Sequence, residues 1–335
     1  MNIEKLKEIL QDYPKFRIKQ AEDAIYKNLI NNWDDAKGLP KDIKELLNKE
    51  VSLEIKAKDF SSHDATSKRA LIYLEDDQNI EAVLMSHVDG RKTVCVSSQV
   101  GCPLACSFCA TGKLGFKRNL TTDEIVEQVL YFARKLKDSN ERVSNIVFMG
   151  MGEPFLNFDN VLNAIKILNE KLGIGYRKIS ISTSGIVPGI KKIAKEDMQV
   201  NLALSLHAPN NHLRNELMPI NRQYKLEEVM SAVGQYIDTT NRRVMVEYIM
   251  IEDLNDTEDN ARELVKLLKK YLKRLFFVNL IPCNPTGRYT ASKDKSIKRF
   301  KKILEDEKIE VIQRYKFGRD IQGACGQLSA NLREK

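Results

Sequence analysis

The stretch "TVCVSSQVGCPLACSFCATGKLGFKRNLTTDEIVEQVLYFARKL", residues 93–136, holds three kinds of local structure in order. "TVCVSS" is short, apolar and β-branched, as a strand buried on both faces should be. Next comes a loop with Cys102, Cys106 and Cys109, seven residues and more beyond Cys95 in the strand. "LTTDEIVEQVLYFARKL" then has helical periodicity, and Thr121 and Glu124 stand at capping-box spacing at its start. Strand, loop and helix make one β/α unit.

Reading outward, the unit repeats. Strands "NIVFMG", "KISIST", "VNLALSLH", "VMVEYIMI", "LFFVNLIP" and "IEVIQRYK" alternate with amphipathic helices such as "NVLNAIKILNEKL", "KLEEVMSAVGQYI", "NARELVKLLKKYL" and "KSIKRFKKILEDE". Six successive units predict an α/β fold with a parallel sheet, a partial (β/α)6 barrel. In such folds the chemistry sits at the C-terminal ends of the strands. The cysteine loop, "MGMGEP", "STSG", "SLHAP" and "PCNP" each follow a strand and should meet on one face.

Upstream, residues 1–75 read as short amphipathic helices punctuated by Gly38 and Pro40, a small accessory helical domain. A β-rich stretch leads into the barrel, with Asp89-Gly90 as a hairpin signal. The expected division is 1–75 accessory, 76–319 barrel, and 320–335 a C-terminal segment carrying Cys325.

Composition is that of a globular chain: 42% hydrophobic, 30% charged, with six cysteines in 335 residues. No apolar run approaches the ~20 residues of a membrane span, and the first residues lack the apolar core of a signal peptide. A cytoplasmic location is expected, where thiols stay reduced and clustered cysteines serve metals or catalysis. The net charge is +8, and residues 261–320 hold 17 Lys and Arg against 7 Asp and Glu. Runs such as "KLLKKYLKR" suit either a solvated helix face or a nucleic-acid backbone.

Cys102, Cys106 and Cys109 form C-x3-C-x2-C. Three thiolates can hold three irons of a [4Fe-4S] cluster that normally takes four cysteines. The fourth iron is then open to substrate. The competing reading is a zinc knuckle, which needs a fourth Cys or His at ribbon spacing, and none lies between Gly112 and Asn201.

This spacing, with Phe108 before the last cysteine and a β/α barrel behind it, resembles the radical S-adenosylmethionine superfamily. The set "CVSSQVGCPLACSFCATGKLGFKRNLT", "MGMGEP", "ISTSGIVPGI", "LALSLHAPN", "LMPIN" and "GACGQL" resembles, more narrowly, the RlmN/Cfr family of RNA adenine methyltransferases. The likeness runs from about Glu81 to Leu328. It implies one [4Fe-4S] cluster on Cys102, Cys106 and Cys109. It implies contacts to S-adenosyl-L-methionine from Gly152, Glu153, Ser182, Ser205, Leu206, His207 and Asn284. It also implies two of these molecules per turnover. One methylates Cys325; the other gives a 5′-deoxyadenosyl radical that removes a hydrogen from the S-methyl group. The carbon radical adds to adenine, Glu81 accepts the ring proton, and Cys95 resolves the adduct by forming a disulfide with Cys325. Cys283 has no counterpart and is expected to be a packing cysteine.

The family has two branches. "GEP", "SLHAPN" and "LIPCNP" resemble the RlmN branch, which methylates carbon 2 of an adenosine in 23S rRNA and the adenosine 3′ of the tRNA anticodon. "CATG" and part of "VNLIPCNPT" are shared with or lean toward the Cfr branch, which methylates carbon 8 and confers antibiotic resistance. The resemblance implies rRNA and tRNA as partners and a low-potential donor such as flavodoxin or ferredoxin. Other readings are a radical enzyme with a peptide target and a non-catalytic zinc RNA-binding protein.

Overall fold

The structure is a computed structural model and describes residues 1–284, 287–313, 318 and 320–329. The chain opens with helices α1 (Ile3–Ile9), α2 (Phe16–Tyr26) and α3 (Lys41–Glu50). Strands β1 (Ala57–Ser61), β2 (Ser67–Tyr73), β3 (Asn79–Ser86) and β4 (Lys92–Cys95) follow as an antiparallel series. A separate ribbon pairs β5 (Gln99–Gly101) with β6 (Phe116–Asn119). Beyond it, α4 (Thr122–Lys137), β7 (Asn145–Phe148), α5 (Phe158–Glu170), β8 (Ile179–Thr183), α6 (Val187–Ile193) and β9 (Asn201–Ser205) alternate. Then come α7 (Asn211–Leu217), α8 (Leu226–Thr240), β10 (Val244–Met250), α9 (Glu258–Tyr271), β11 (Phe276–Pro282), α10 (Asp294–Asp306) and β12 (Val311–Gln313).

One ten-stranded sheet has the order β1-β2-β3-β4-β7-β8-β9-β10-β11-β12. From β4 onward every neighbour is parallel, so the expected run of β/α units is present, closing on a seventh parallel strand. Its strands stay apolar through their middles: Ile146, Ile181, Leu202, Val246 and Val278 are each no more than 1% exposed. Helices cover the outer face because a parallel crossover must return over the sheet. The box at α4 forms as read, Glu124 N donating to Thr121 Oγ1 at 3.2 Å and Thr121 N to Glu124 Oε2 at 2.8 Å.

Several expectations need correction. Residues 57–61, placed within the helical segment 1–75, form β1, which pairs with β2 of the expected β-rich stretch and extends the main sheet. Helical character ends by Glu50. "TVCVSS" is not one strand: β4 stops at Cys95 and β5 starts at Gln99. Helix α7 was not anticipated. "IEVIQRYK" is a strand only over Val311–Gln313; residues 314–317 lie outside the described residues. So do Pro285 of "PCNP" and residues 330–335 of the C-terminal segment.

The N-terminal helices share one continuous core with the barrel. Leu6, Ile25, Trp33, Ile43 and Leu47 are each at most 1% exposed. Trp33 Nε1 donates to Val51 O at 2.7 Å, which satisfies the indole in the dark. Across to α4, Arg134 Nη1 donates to Leu53 O at 2.7 Å and Ile3 N to Asp123 Oδ2 at 3.0 Å. Among the described residues no helix is long and apolar enough to cross a membrane.

Candidate active site

The parallel strands point their C-terminal ends at one cavity. Cys95 enters it from the end of β4, Gly152 and Glu153 from the loop after β7, Ser182 from β8, Ser205 and His207 from β9, and Asn284 from beyond β11. Cys102, Cys106 and Cys109 line it from the β5–β6 ribbon, and Cys325 from the C-terminal segment. Of the expected site residues, Glu81 and Leu206 are the two that do not line it.

The cysteine loop is held by its backbone. Cys102 N donates to Gly115 O at 3.0 Å, closing the ribbon at Gly101. Gly101 has φ +75, and a Cβ there would lie 1.8 Å from Gly115 O, so no other residue fits. Ser107 N donates to Leu217 O at 2.9 Å, tying the loop to the end of α7. Ala110 N donates to Gly326 O at 2.7 Å, tying it to the C-terminal segment.

The thiols sit in low dielectric. Burial pushes Cys102 up to about 12. Burial raises Cys106 well above the ordinary thiol range, with the neighbouring Cys109 and Cys102 adding like-charge repulsion and Arg214 opposing it. Such a triad holds thiolates only when a cationic group binds them, which is what an iron–sulfur core supplies. Among the described residues no set of three His, Cys, Asp or Glu side chains has the geometry for a single metal ion. Three thiols from one short loop lining one cavity fit a group that binds all three together.

Glu153 is buried, and its carboxylate spans two loops. Oε1 accepts from Phe155 N at 3.1 Å and Oε2 from Ser184 N at 2.7 Å. Burial raises its pKa and these bonds oppose the rise. Glu153 is thus a brace between the β7 and β8 ends. Gly152, at φ +99, passes so close to Gln99 that a Cβ would meet its side chain at 2.6 Å. Ser182 Oγ and Ser205 Oγ lie 3.2 Å apart on neighbouring strands.

His207 adopts φ +60, a left-handed conformation that costs a non-glycine residue energy. Its Nδ1 accepts from Ile249 N at 3.1 Å, so a neutral ring carries its proton on Nε2. Burial, with the Arg214 charge nearby, pushes its pKa down to about 3. The ring is neutral at physiological pH and meets Phe108 edge-on, centroids 5.0 Å apart. Leu206 is fully buried and contributes backbone: its N donates to Glu247 O at 3.0 Å.

Cys325 is exposed, in a segment held by a few bonds. Asn284 Nδ2 donates to Cys325 O at 3.0 Å, and Thr111 Oγ1 to Leu328 O at 2.7 Å. Ser329 N donates to Glu81 Oε2 at 2.8 Å, and Glu81 is also ion-paired with Arg69. Glu81 is 0% exposed and stands behind the cavity wall, latching the segment. The Cys95–Cys325 disulfide that the resemblance implies belongs to turnover, and the resting structure holds no disulfide among the described residues. Cys283 is buried in a small apolar cluster with Leu213, Leu217 and Ile251, against which the cavity-lining Cys106 and Phe108 also pack.

Sequence reading missed Gln99, Thr111, Arg214 and Glu247. Thr111 and Glu247 line the cavity. Gln99 Oε1 accepts from Glu153 N at 2.9 Å. Arg214 lies inside the motif-bearing stretch between "SLHAPN" and "LMPIN", which was its one available signal.

Comparison with known proteins agrees with this geometry. The Radical SAM superfamily description matches residues 96–268. The chain is 44% identical to a "Probable dual-specificity RNA methyltransferase RlmN" of Dictyoglomus thermophilum, covering 98% of this chain and 95% of that one. It is 45% identical to the protein of the same description from Spiroplasma citri, covering 96% and 93%. A crystal structure of a radical SAM methyltransferase from Sphaerobacter thermophilus superposes with a TM-score of 0.93 at 41% identity, covering 99% of this chain and 98% of that one.

Proposed function

Because the chain belongs to the RlmN/Cfr family of radical S-adenosylmethionine RNA methyltransferases, we propose that it methylates carbon 2 of an adenosine in 23S rRNA, and of the adenosine 3′ of the tRNA anticodon, through an S-methyl group on Cys325. The family implies a [4Fe-4S] cluster and S-adenosylmethionine, and Cys102, Cys106 and Cys109 are the residues that would hold the cluster. When bound, the pair supplies a radical able to abstract hydrogen from a methyl group.

The rest is work for this chain's own side chains. Carbon 2 of adenine lies between two ring nitrogens and is electron-poor, so it does not attack a sulfonium methyl; a carbon radical adds to it instead. Cys325 presents that carbon. It first accepts a methyl group on sulfur and, after losing one hydrogen atom, bonds to the ring, and the ring radical so formed gives up one electron to a one-electron acceptor of the iron–sulfur class. The adduct is released when the Cys95 thiolate attacks Cys325 sulfur. A disulfide forms, the S–C bond breaks with its electron pair left on the carbon, that carbon takes up a proton to become the methyl group, and a dithiol reductant reopens the disulfide for the next turnover. Glu81 stands behind the cavity wall, bonded by Ser329 N and paired with Arg69, so it takes the ring proton only once the C-terminal segment has moved off its Oε2 and opened a path to it. One turnover consumes two S-adenosylmethionine molecules, and a low-potential donor such as flavodoxin or ferredoxin supplies the electron. The target base leaves its stack to enter the cavity.

One observation carries this reading: two thiols from opposite ends of the barrel sequence, Cys95 and Cys325, line the cavity that holds the cysteine triad. The relatives' description as dual-specificity RNA methyltransferases supports the two substrates. Nucleoside mass spectrometry of rRNA and tRNA incubated with anaerobically reconstituted protein tests it. The expected product is 2-methyladenosine in both RNAs. Recovery of 8-methyladenosine would move the protein to the Cfr branch.

A further inference from the structure

Arg214 lies on α7 and is 0% exposed, one of the largest fully buried side chains in the protein. A buried charge is costly unless paired or fully hydrogen-bonded. Arg214 makes neutral bonds only: Nη1 to Asn221 Oδ1 at 2.9 Å, Nη2 to Ser184 O at 2.7 Å and Ser205 O at 3.5 Å, and Nε to Leu206 O at 3.3 Å. Among the described residues no carboxylate forms an ion pair with it. A guanidinium stays charged at neutral pH, so the charge is buried with the side chain.

Its position explains this. Ser184 and Ser205 line the cavity, and Arg214 bonds to the backbone beneath both. The far end of α7 is bonded to the cysteine loop through Ser107 N and Leu217 O. A cation is therefore fixed under the floor, on the helix whose Leu213 and Leu217 belong to the cluster that Cys106 packs against, and among the described residues no anion is paired with it.

We infer that Arg214 is the built-in countercharge for the anionic group bound by Cys102, Cys106 and Cys109, a positioning residue that sets that group's reduction potential. The inference rests on the cluster reading given above. A cubane on three thiolates is anionic, and one-electron reduction adds a further negative charge. A cation fixed in low dielectric stabilises the reduced form more than the oxidised one. A purely structural arginine, lacing together Ser184, Ser205 and Leu206, would leave the potential alone.

Potentiometric titration of cluster-loaded protein, followed by electron paramagnetic resonance with iron and sulfide counted, decides the matter. Arg214→Met removes the charge. Asn221→Asp keeps Arg214 and puts a carboxylate against Nη1, so it tests the same charge if Arg214→Met fails to fold. Both should lower the ratio of reduced to oxidised cluster at fixed poise at least tenfold, which is 59 mV for a one-electron couple. Arg214→Lys should keep the ratio closer to wild type than either. A fall of less than tenfold in cluster-loaded Asn221→Asp overturns the inference. Wild-type protein that takes up no iron and sulfide refutes the cluster reading itself and is recognised before any variant is titrated.

Discussion

The N-terminal helices and the segment 320–329 both lie against the barrel, and they are attached by different physics. Residues 1–53 are held by apolar burial: Leu6, Ile25, Trp33 and Leu47 belong to the same core as the sheet. Residues 320–329 bury only Ala324, Gln327 and Leu328, of which Leu328 alone joins that core, and otherwise hang from individual bonds at His63, Ala110, Thr111, Glu81 and Asn284. Burial is lost only by unfolding, whereas single hydrogen bonds net about 1 kcal/mol each and open locally. The first end is scaffold. The weaker attachment fits the proposed role of Cys325, whose thiol would serve a methyl donor, a base and Cys95 in turn.

Substitutions can break or sharpen that contrast, and the largest effect belongs to the loosely held end. Cys325→Ala should abolish methyl transfer while leaving the unfolding free energy in urea within about 0.5 kcal/mol of wild type, because the thiol is exposed. Trp33→Ala should do the reverse. It removes a buried indole and orphans Val51 O, at a cost of about 3–5 kcal/mol in denaturant unfolding. Turnover per folded molecule should persist. If the two variants exchanged phenotypes, the contrast would fail.

A smaller effect lies in the floor between them. Folded His207 has a pKa of about 3 and the unfolded residue about 6.5. Between these values the unfolded chain binds more protons, so this contribution is full above pH 6.5 and is lost as pH falls toward 3. His207→Asn should shrink the loss of unfolding free energy between pH 6.5 and 4 by about 2–3 kcal/mol. Curves of unchanged shape would show that the ring is not buried neutral. Smallest is Thr111→Val, which deletes one anchor of the C-terminal segment. Amide exchange or proteolysis should speed up about fivefold within 320–329, corresponding to about 1 kcal/mol, with the global midpoint unmoved.

Much of the barrel was legible because buried parallel strands leave continuous apolar runs, as in "NIVF" and "FFVNLIP", and because Thr121 and Glu124 cap α4 by local chemistry. β1 was not: "AKDFS" carries Lys58 and Asp59 and is only partly buried, so pairing with β2 defines it. Helix α7 is seven residues long and has little periodicity to read. In the site, the cysteines, Gly152, His207 and Asn284 were found because they stand in contiguous motifs. Arg214 and the Glu81 latch were hidden, since their roles come from contacts across 30 residues for Ser184 and 248 for Ser329. Spacing along a chain does not encode such contacts.

The central claim is that the transferred carbon passes through Cys325 sulfur and is freed by Cys95. It is tested most directly by incubating Cys95→Ala with methyl-labelled S-adenosylmethionine and RNA, then digesting the products for mass spectrometry. The account predicts a stable crosslink in which one labelled carbon joins Cys325 sulfur to adenine. Free methylated RNA at the wild-type rate, with Cys325 unlabelled, would contradict it.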